Sequence, residues 1–177
     1  MRLENSFEVP GPPDRAWALL LDVPRVVPCM PGAELTETID DSHWKAIVAV
    51  KLGPMSMSFG ADVAREQVDE SAQRIVLSAK ARELKGRGGA TATIDSSLAA
   101  VDGGTRVLVV TDLQLSGPAA QFGGGVVNTV AGQLTEQFAA CLQGQLADEP
   151  APAAPQRPVG GLLLLLRGLL ARLRHRH

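Results

Sequence analysis

The sequence predicts an α+β domain in which one curved antiparallel sheet is covered by one long C-terminal helix. Three observations lead to this prediction. Segments that alternate between apolar and polar residues follow one another with only short turns between them. A break rich in proline separates the first of these segments from the others. One long helical pattern comes after all of them, so that a sheet and a helix each have an apolar face to cover.

The first strand and two short helices are predicted at the N-terminus. Residues 2–9 alternate, with Leu3, Phe7 and Val9 on one face. The prolines at 10, 12 and 13 end this strand and suit the first turn of a helix, in which Trp17 and Leu20 share a face. Asp22 is placed to cap a second short helical turn over 23–27.

Six more strands are predicted in the middle of the chain. Glycine-, proline- or aspartate-rich turns separate them, and no helix intervenes, which is typical of an antiparallel meander. Residues 55–63 alternate between apolar and polar positions, which predicts one buried and one wet face. The predicted strands cover residues 33–39, 43–52, 55–68, 73–84, 90–100 and 105–115.

The long helix is predicted within residues 119–147. Val127, Val130, Leu134, Phe138 and Leu142 recur at intervals of three and four residues and form one apolar stripe. We expect Leu134 and Phe138 to be buried where this helix crosses the concave face of the sheet. This helix-grip arrangement can enclose a pocket beside the helix.

Charge and composition together divide the chain into three parts. Residues 1–150 carry 12 Lys and Arg against 19 Asp and Glu, a net charge of −7, whereas residues 151–177 carry five Arg and no acid. An acidic body and a lack of tyrosine argue against nucleic acid as a partner. We predict a ligand-binding domain over 1–147, a proline- and alanine-rich linker over 148–158 and a basic amphipathic tail over 159–177.

The tail is predicted to anchor the protein at a membrane surface. As a helix, its 15 residues from 159 to 173 would be about 22 Å long, short of the roughly 30 Å hydrocarbon core, so an in-plane helix is favoured over a span. The alternative is a helix that docks in a groove of a partner protein. The predicted anchor residues are Leu162, Leu166, Arg167, Leu169, Leu170, Arg172, Leu173 and Arg174.

The residues that could carry chemistry give little sign of a catalytic site. Cys29 and Cys141 have neither C-x-x-C nor metal-ligand spacing, which favours a reducing compartment and assigns the thiols no role. His43, the one histidine before the tail, follows the adjacent acids Asp40 and Asp41 and is interpreted as an exposed turn residue. The N-terminus lacks the apolar segment of a secretory signal. We therefore predict no catalytic residue and no metal ligand.

Three short motifs resemble one known family. They are Phe7-x-Val9 followed by Pro12 and Trp17-x-x-Leu20-x-Asp22, then Pro31-Gly32-Ala33 with Leu35, and finally Val50-Lys51-Leu52-Gly53-Pro54-Met55. Together with the terminal helix and linker, they resemble the G-subunit family of carbon monoxide dehydrogenase, within the START-like (SRPBCC) superfamily, over about residues 2–146. The resemblance implies a hydrophobic cavity and an accessory role beside a molybdenum hydroxylase, such as recruiting it to the membrane.

A non-catalytic apolar-ligand carrier on the cytoplasmic side of the membrane is the function that we predict. The ligand that we favour is a respiratory quinone, menaquinone or ubiquinone, bound without a covalent link. The alternatives are an adaptor or assembly factor with a solid core, and a START-like enzyme acting on a small hydrophobic substrate. The residues predicted to line the cavity, which would be ordinary packing residues in a solid core, are Met30, Met55, Met57, Phe59, Phe122, Val126, Val127, Val130 and Leu134.

Overall fold

A computed structural model describes residues 1–148, and these form one sheet and three helices. The helices are α1 (Pro13–Leu21), α2 (Val23–Val26) and α3 (Gly124–Asp148), with 3₁₀ turns at Val27–Cys29 and Gly117–Gln121. The strands are β1 (Arg2–Pro10), β2 (Ala33–Asp40), β3 (His43–Leu52), β4 (Met55–Asp69), β5 (Arg74–Glu83), β6 (Gly89–Val101) and β7 (Gly104–Ser116).

The predicted seven-stranded antiparallel sheet with a C-terminal helix is confirmed. The strand order is β1-β7-β6-β5-β4-β3-β2, so the first strand pairs with the last and the remaining strands form a meander. Because β1 and β2 are the two edge strands, α1 and α2 must cross the width of the sheet to connect them. The two ends of the sheet therefore differ. The upper end carries the β3–β4 and β5–β6 turns and the start of α3, and the lower end carries α1 and the end of α3.

The helix boundaries follow from local chemistry. Proline occupies the first turn of α1, and the Asp22 carboxylate accepts a hydrogen bond from the Arg25 backbone N–H at the start of α2, as predicted. α3 begins at Gly124, within the glycine run expected near its start. The 3₁₀ turn at Gly117–Gln121, which the sequence pattern did not predict, connects β7 to α3.

Two of the motif glycines have positive φ angles, which side chains disfavour. Gly32 has φ +79°, and a side chain there would collide with the carbonyl oxygen of Ala49 on β3. Gly53 has φ +58° in the β3–β4 turn, where the Phe122 ring lies against it. Both glycines therefore allow backbone conformations that side chains disfavour.

The apolar core is divided into two clusters. The lower cluster joins α1 and the end of α3 to the sheet, and the upper cluster joins the β3–β4 hairpin to the 3₁₀ turn that precedes α3. The buried residues of the lower cluster are Val9, Ala16, Trp17, Leu19, Cys29, Ile75, Leu98, Val107, Leu142 and Leu146. The buried residues of the upper cluster are Leu52, Met57, Phe59 and Ala119.

The expectation that the thiols have no role is wrong. Cys29, in the 3₁₀ turn after α2, and Cys141, on α3, form a disulfide with a Cα–Cα distance of 5.4 Å. Their spacing did not indicate this bond because 112 residues separate the two cysteines, and only the packing of α2 beside α3 brings them together. The bond links the α1–α2 segment to the long helix at the lower end.

The predicted helix stripe is buried unevenly. Val127 and Leu142 are buried, at 5% and 2% exposure, whereas Leu134 and Phe138 are only half-buried. The expectation that Leu134 and Phe138 are buried is therefore only partly met. The physical reason is that α3 packs on the clusters near its two ends, while Leu134 lies between them and belongs to neither.

Candidate functional site

The centre of the inner face is lined by small residues. The register pairs Ala79 with Ala92 and Ala81 with Ala90, which places four alanines side by side on β5 and β6. They face the same way as Ile75 of the lower cluster, because residues two apart on a strand share a face. All four remain partly exposed although they face the helix side of the sheet. Small side chains here leave space between the clusters.

Larger apolar residues surround this space and are themselves only half-buried. We call the region the inner groove. On the helix side it is bounded by Val130, Leu134 and Phe138, each partly exposed. Phe138 also packs edge-on against Phe7, with ring centroids 5.9 Å apart. The sheet residues that line the inner groove are Leu77, Ala79, Ala81, Ala90, Ala92, Ile94, Leu113 and Leu115.

The residues predicted to line a cavity are not all in one place. Five of the nine meet in the upper cluster, and Val127 is buried one helical turn before Val130. Leu134 lies on the groove side of α3, Val126 is 39% exposed, and Met30 ends the 3₁₀ turn after α2. The five in the upper cluster are Met55, Met57, Phe59, Phe122 and Val130.

The sequence pattern did not predict the alanines as lining residues and predicted the methionines instead. The signal was present, since alanines alternate with polar residues along both predicted strands. Alanine is ambiguous, however, because one alanine face can be either tightly packed or open. Only the register, which places alanine opposite alanine, shows that the small residues are adjacent.

A cleft of about 490 Å³ opens at the upper end of the sheet. β4 extends beyond its pairing with β5, which begins at Phe59, so its first residues pair with β3 alone. The cleft occupies this gap and reaches Met57 of the upper cluster. We call it the hairpin cleft, and its lining residues are Ala49, Val50, Lys51, Ser56, Met57, Ser58, Glu83, Leu84 and Lys85.

Glu83 shapes one wall of the hairpin cleft. It is only 6% exposed, and its Oε2 accepts backbone hydrogen bonds from Lys85 at 2.8 Å and Arg87 at 3.2 Å. These bonds satisfy the buried carboxylate and hold the β5–β6 turn. Leu84 next to it is 59% exposed, so the rim of the cleft combines apolar surface with the cations of Lys51 and Lys85.

One cation faces inward at the lower end of the inner groove. Arg65 pairs with Leu77 across β4 and β5, and its Nη2 donates to the Leu21 carbonyl at 2.9 Å. The guanidinium carbon lies 5.2 Å from the centroid of the Trp44 ring. Its Nε is buried and has no hydrogen-bond partner.

A family model decides which proteins this chain is related to. The model for CoxG, the G-subunit of carbon monoxide dehydrogenase, matches residues 6–147, which is most of the chain. The chain belongs to the CoxG family. The resemblance seen in the sequence motifs is thereby confirmed, and proteins of this family are accessory subunits. No curated protein matches the chain.

Solved structures share the fold of this CoxG family member at low sequence identity. A conserved protein from Geobacillus kaustophilus is 20% identical with a TM-score of 0.73, covering 83% of this chain and 95% of its own. A START superfamily protein from Mycobacterium smegmatis is 18% identical with a TM-score of 0.54, and the match covers 82% of this chain and 97% of the other protein. The Zhui aromatase/cyclase from Streptomyces sp. R1128 is 13% identical with a TM-score of 0.57, and the match covers 83% of this chain and 93% of the other protein. These likenesses establish the START-like helix-grip fold.

The histidine of this CoxG domain is exposed and pairs with Ala64, whose side chain is on the opposite face of β4 from that of Arg65. His43 Nδ1 is 2.9 Å from Asp40 Oδ1 at the exposed β2–β3 turn, as expected for a turn residue. The Ser42 backbone N–H, and after it His43, hold the pKa of Asp40 below its usual value. Within residues 1–148, no three His, Cys, Asp or Glu side chains gather as a metal site, and no helix is long and apolar enough to span a membrane. The predicted linker and tail anchor lie outside the described residues.

Proposed function

We propose that this protein is a membrane-tethered carrier that holds a respiratory quinone, menaquinone or ubiquinone, in its inner groove. In this role it couples a molybdenum hydroxylase, such as carbon monoxide dehydrogenase, to the membrane. The observation that carries the proposal is the divided core, in which half-buried apolar side chains face a space between sheet and helix. Membership of the CoxG family supports the accessory role.

The chemistry of the inner groove suits an apolar guest. Its walls are alanine and aliphatic side chains, and the upper cluster adds Met55, Met57, Phe59 and Phe122, whose flexible or flat side chains adapt to a ligand. An isoprenoid tail exposes several hundred square ångströms of apolar surface in water, at a cost of roughly 25 cal/mol per Å². A groove that covers this surface lowers the cost of moving the quinone from the bilayer to a soluble enzyme.

The upper end is the proposed entrance. Gly123, Gly124 and Gly125 are exposed, with open space around each α-carbon, at the start of α3. Next to them the Phe122 ring lies on Gly53 of the β3–β4 turn. Rotation of Phe122, together with the freedom of the glycine backbone, would open a path between the hairpin and the helix.

The basic tail is proposed to hold the domain at the cytoplasmic face of the membrane. Five leucines give about 8–15 kcal/mol gross when fully buried, and partial insertion and ordering reduce that figure. Each arginine near an anionic leaflet adds roughly 1 kcal/mol. The 11-residue linker, extended at about 3.1 Å per residue, would let the domain move roughly 30 Å from its anchor.

Vesicle flotation tests the tail. Removal of residues 159–177 should leave a folded domain that no longer floats with anionic vesicles, because the two core clusters are built from residues between Val9 and Leu146. Full-length protein with vesicles of neutral lipid is the control for the arginine contribution. Equal flotation of the truncated and complete proteins would show that the anchor is elsewhere.

Solvent extraction tests the carrier role. Protein purified from its native host should release an isoprenoid quinone that mass spectrometry identifies. Val130→Trp places a large side chain between the helix and the upper cluster and should abolish the bound quinone without unfolding the protein. Gln137→Trp is the matched control, because Gln137 is on the same helix and is exposed, away from the proposed entrance.

The two other functions make different predictions in this experiment. A native protein that yields no isoprenoid lipid, and whose Val130→Trp variant still recruits the hydroxylase, would be an adaptor or assembly factor. An enzyme acting on a small hydrophobic substrate would convert that substrate in the absence of the hydroxylase. The fold permits catalysis, since one protein that shares it is named an aromatase/cyclase.

A further inference from the structure

Arg65 is an unusual residue for the inner face of this sheet. Val63, two residues earlier on the same face of β4, pairs with Ala79 of the inner groove, and Arg65 pairs with Leu77. The guanidinium therefore lies where the groove meets the lower cluster. A cation in apolar surroundings is costly unless hydrogen bonds or opposite charges compensate it.

The contacts of Arg65 account for only part of its hydrogen-bonding capacity. Nη2 donates to the Leu21 carbonyl at the end of α1, and the guanidinium packs against Trp44, which is 2% exposed. Neither contact involves a carboxylate. Nε is the one buried side-chain nitrogen or oxygen within residues 1–148 that lacks a hydrogen-bond partner.

The two contacts of Arg65 leave its Nε–H group without an acceptor. The hydrogen bond to Leu21 uses a different nitrogen, and the guanidinium carbon lies 5.2 Å from the centroid of the Trp44 ring. A buried donor without an acceptor is unfavourable, and more so when it is charged. Unpaired groups of this kind are rare in folded proteins, and each requires an explanation, such as local strain, a functional role, or a bound water or ion.

We propose that Arg65 Nε–H is the head-group donor of the inner groove and that it hydrogen-bonds an oxygen acceptor at the end of an apolar ligand. This inference rests on the proposed carrier function and orients the ligand within it. The quinone ring would lie at the lower end with one carbonyl at Arg65, and the isoprenoid tail would run toward the upper cluster. From Arg65 to Met57 along β4 is eight residues, about 26 Å, which accommodates a ring and several isoprene units.

A lipid-competition experiment tests this donor. Full-length protein is incubated with vesicles that contain equal amounts of ubiquinone, squalene and oleic acid, and the lipids that copurify are quantified by mass spectrometry. Ubiquinone and squalene share isoprenoid chemistry, but only ubiquinone has carbonyl oxygens. Oleic acid offers a carboxylate in place of a carbonyl. The ratio of bound lipids does not depend on how much of the protein is folded.

Wild-type protein should prefer ubiquinone to squalene, and Arg65→Met should reduce that preference roughly tenfold while bound squalene stays unchanged. Arg65→Lys retains a cation near Leu21, and it replaces the methionine variant in this experiment if that variant does not fold. Arg82→Met, on the outer face of β5, is the matched control and should leave the ratio at its wild-type value.

Three results would contradict, respectively, the donor role of Arg65, the carrier function and the assignment of a quinone as the ligand. Equal loss of ubiquinone and squalene in Arg65→Met would make Arg65 a purely structural residue and overturn the inference. Absence of both lipids from wild-type protein would overturn the carrier function itself. A wild-type preference for oleic acid that Arg65→Met removes would support the donor but overturn the assignment of a quinone.

Discussion

Two leucines on the same helix provide a direct test of the inner groove. Leu142 is 2% exposed in the lower cluster, whereas Leu134, two turns earlier on α3, faces the groove and is half-buried. Replacing either with alanine changes helix propensity equally. Leu142→Ala removes fully buried methyl groups and leaves an enclosed cavity, which should lower the free energy of unfolding by roughly 2–5 kcal/mol.

Leu134→Ala should cost much less. Its side chain already borders space, so the substitution loses part of the burial free energy and creates no new enclosed cavity, for a cost of about 1 kcal/mol. In a domain of this size, 1 kcal/mol shifts the melting temperature by roughly 2–4 °C. Thermal unfolding should therefore show shifts of roughly 4–20 °C for Leu142→Ala and roughly 2–4 °C for Leu134→Ala. Equal shifts would mean that the middle of α3 is packed as tightly as its end, and that the groove is filled in solution.

Two further predictions concern covalent and ionic contacts outside the groove. Replacing Cys29 and Cys141 with serine should lower the free energy of unfolding by roughly 2–5 kcal/mol, because the bond closes a loop of 112 residues in the unfolded chain. Guanidinium denaturation checks this, and a reductant that leaves wild-type protein unaffected would show that the bond is not formed in solution. The Ser42 backbone N–H, and after it His43, hold the pKa of Asp40 below its ordinary value of 3.8. The stability that this carboxylate contributes is therefore fully present above pH 3.8 and is lost as the pH falls through the lower pKa of the folded state. NMR titration should place its midpoint below 3.8, and Asp40→Asn should remove that part of the acid-side loss of stability.

The order and type of the elements could be predicted from sequence because their signals are local. Alternation over residues 55–63 reflects the two faces of one strand, and the stripe from Val127 to Leu142 reflects one face of one helix. Proline and glycine mark the breaks because each restricts or frees its own backbone. Such signals need no knowledge of what lies opposite in space. The sequence also contained the motifs that resemble the family, and two of their glycines, Gly32 and Gly53, meet local backbone requirements.

The site could be predicted only in part because it depends on which distant residues meet. Methionine and phenylalanine residues in the β3–β4 hairpin were predicted as lining and do gather in the upper cluster. Alanine on β5 faces alanine on β6 only through the register of the sheet, and a strand considered alone does not show whether small residues meet small or large ones. For the same reason, the sequence alone does not show that Arg65 meets the Leu21 carbonyl and the Trp44 ring.

Sequence by itself therefore determined the fold class and the element order, since propensity, periodicity and turn chemistry act over a few residues. It also contained the motifs whose resemblance indicated the family. Tertiary structure alone decided the disulfide between Cys29 and Cys141, the division of the core into two clusters and the unpaired Nε of Arg65. Each of these depends on contacts between segments far apart in the chain. Such contacts are selected by the packing of the whole domain and leave no periodic trace in the sequence.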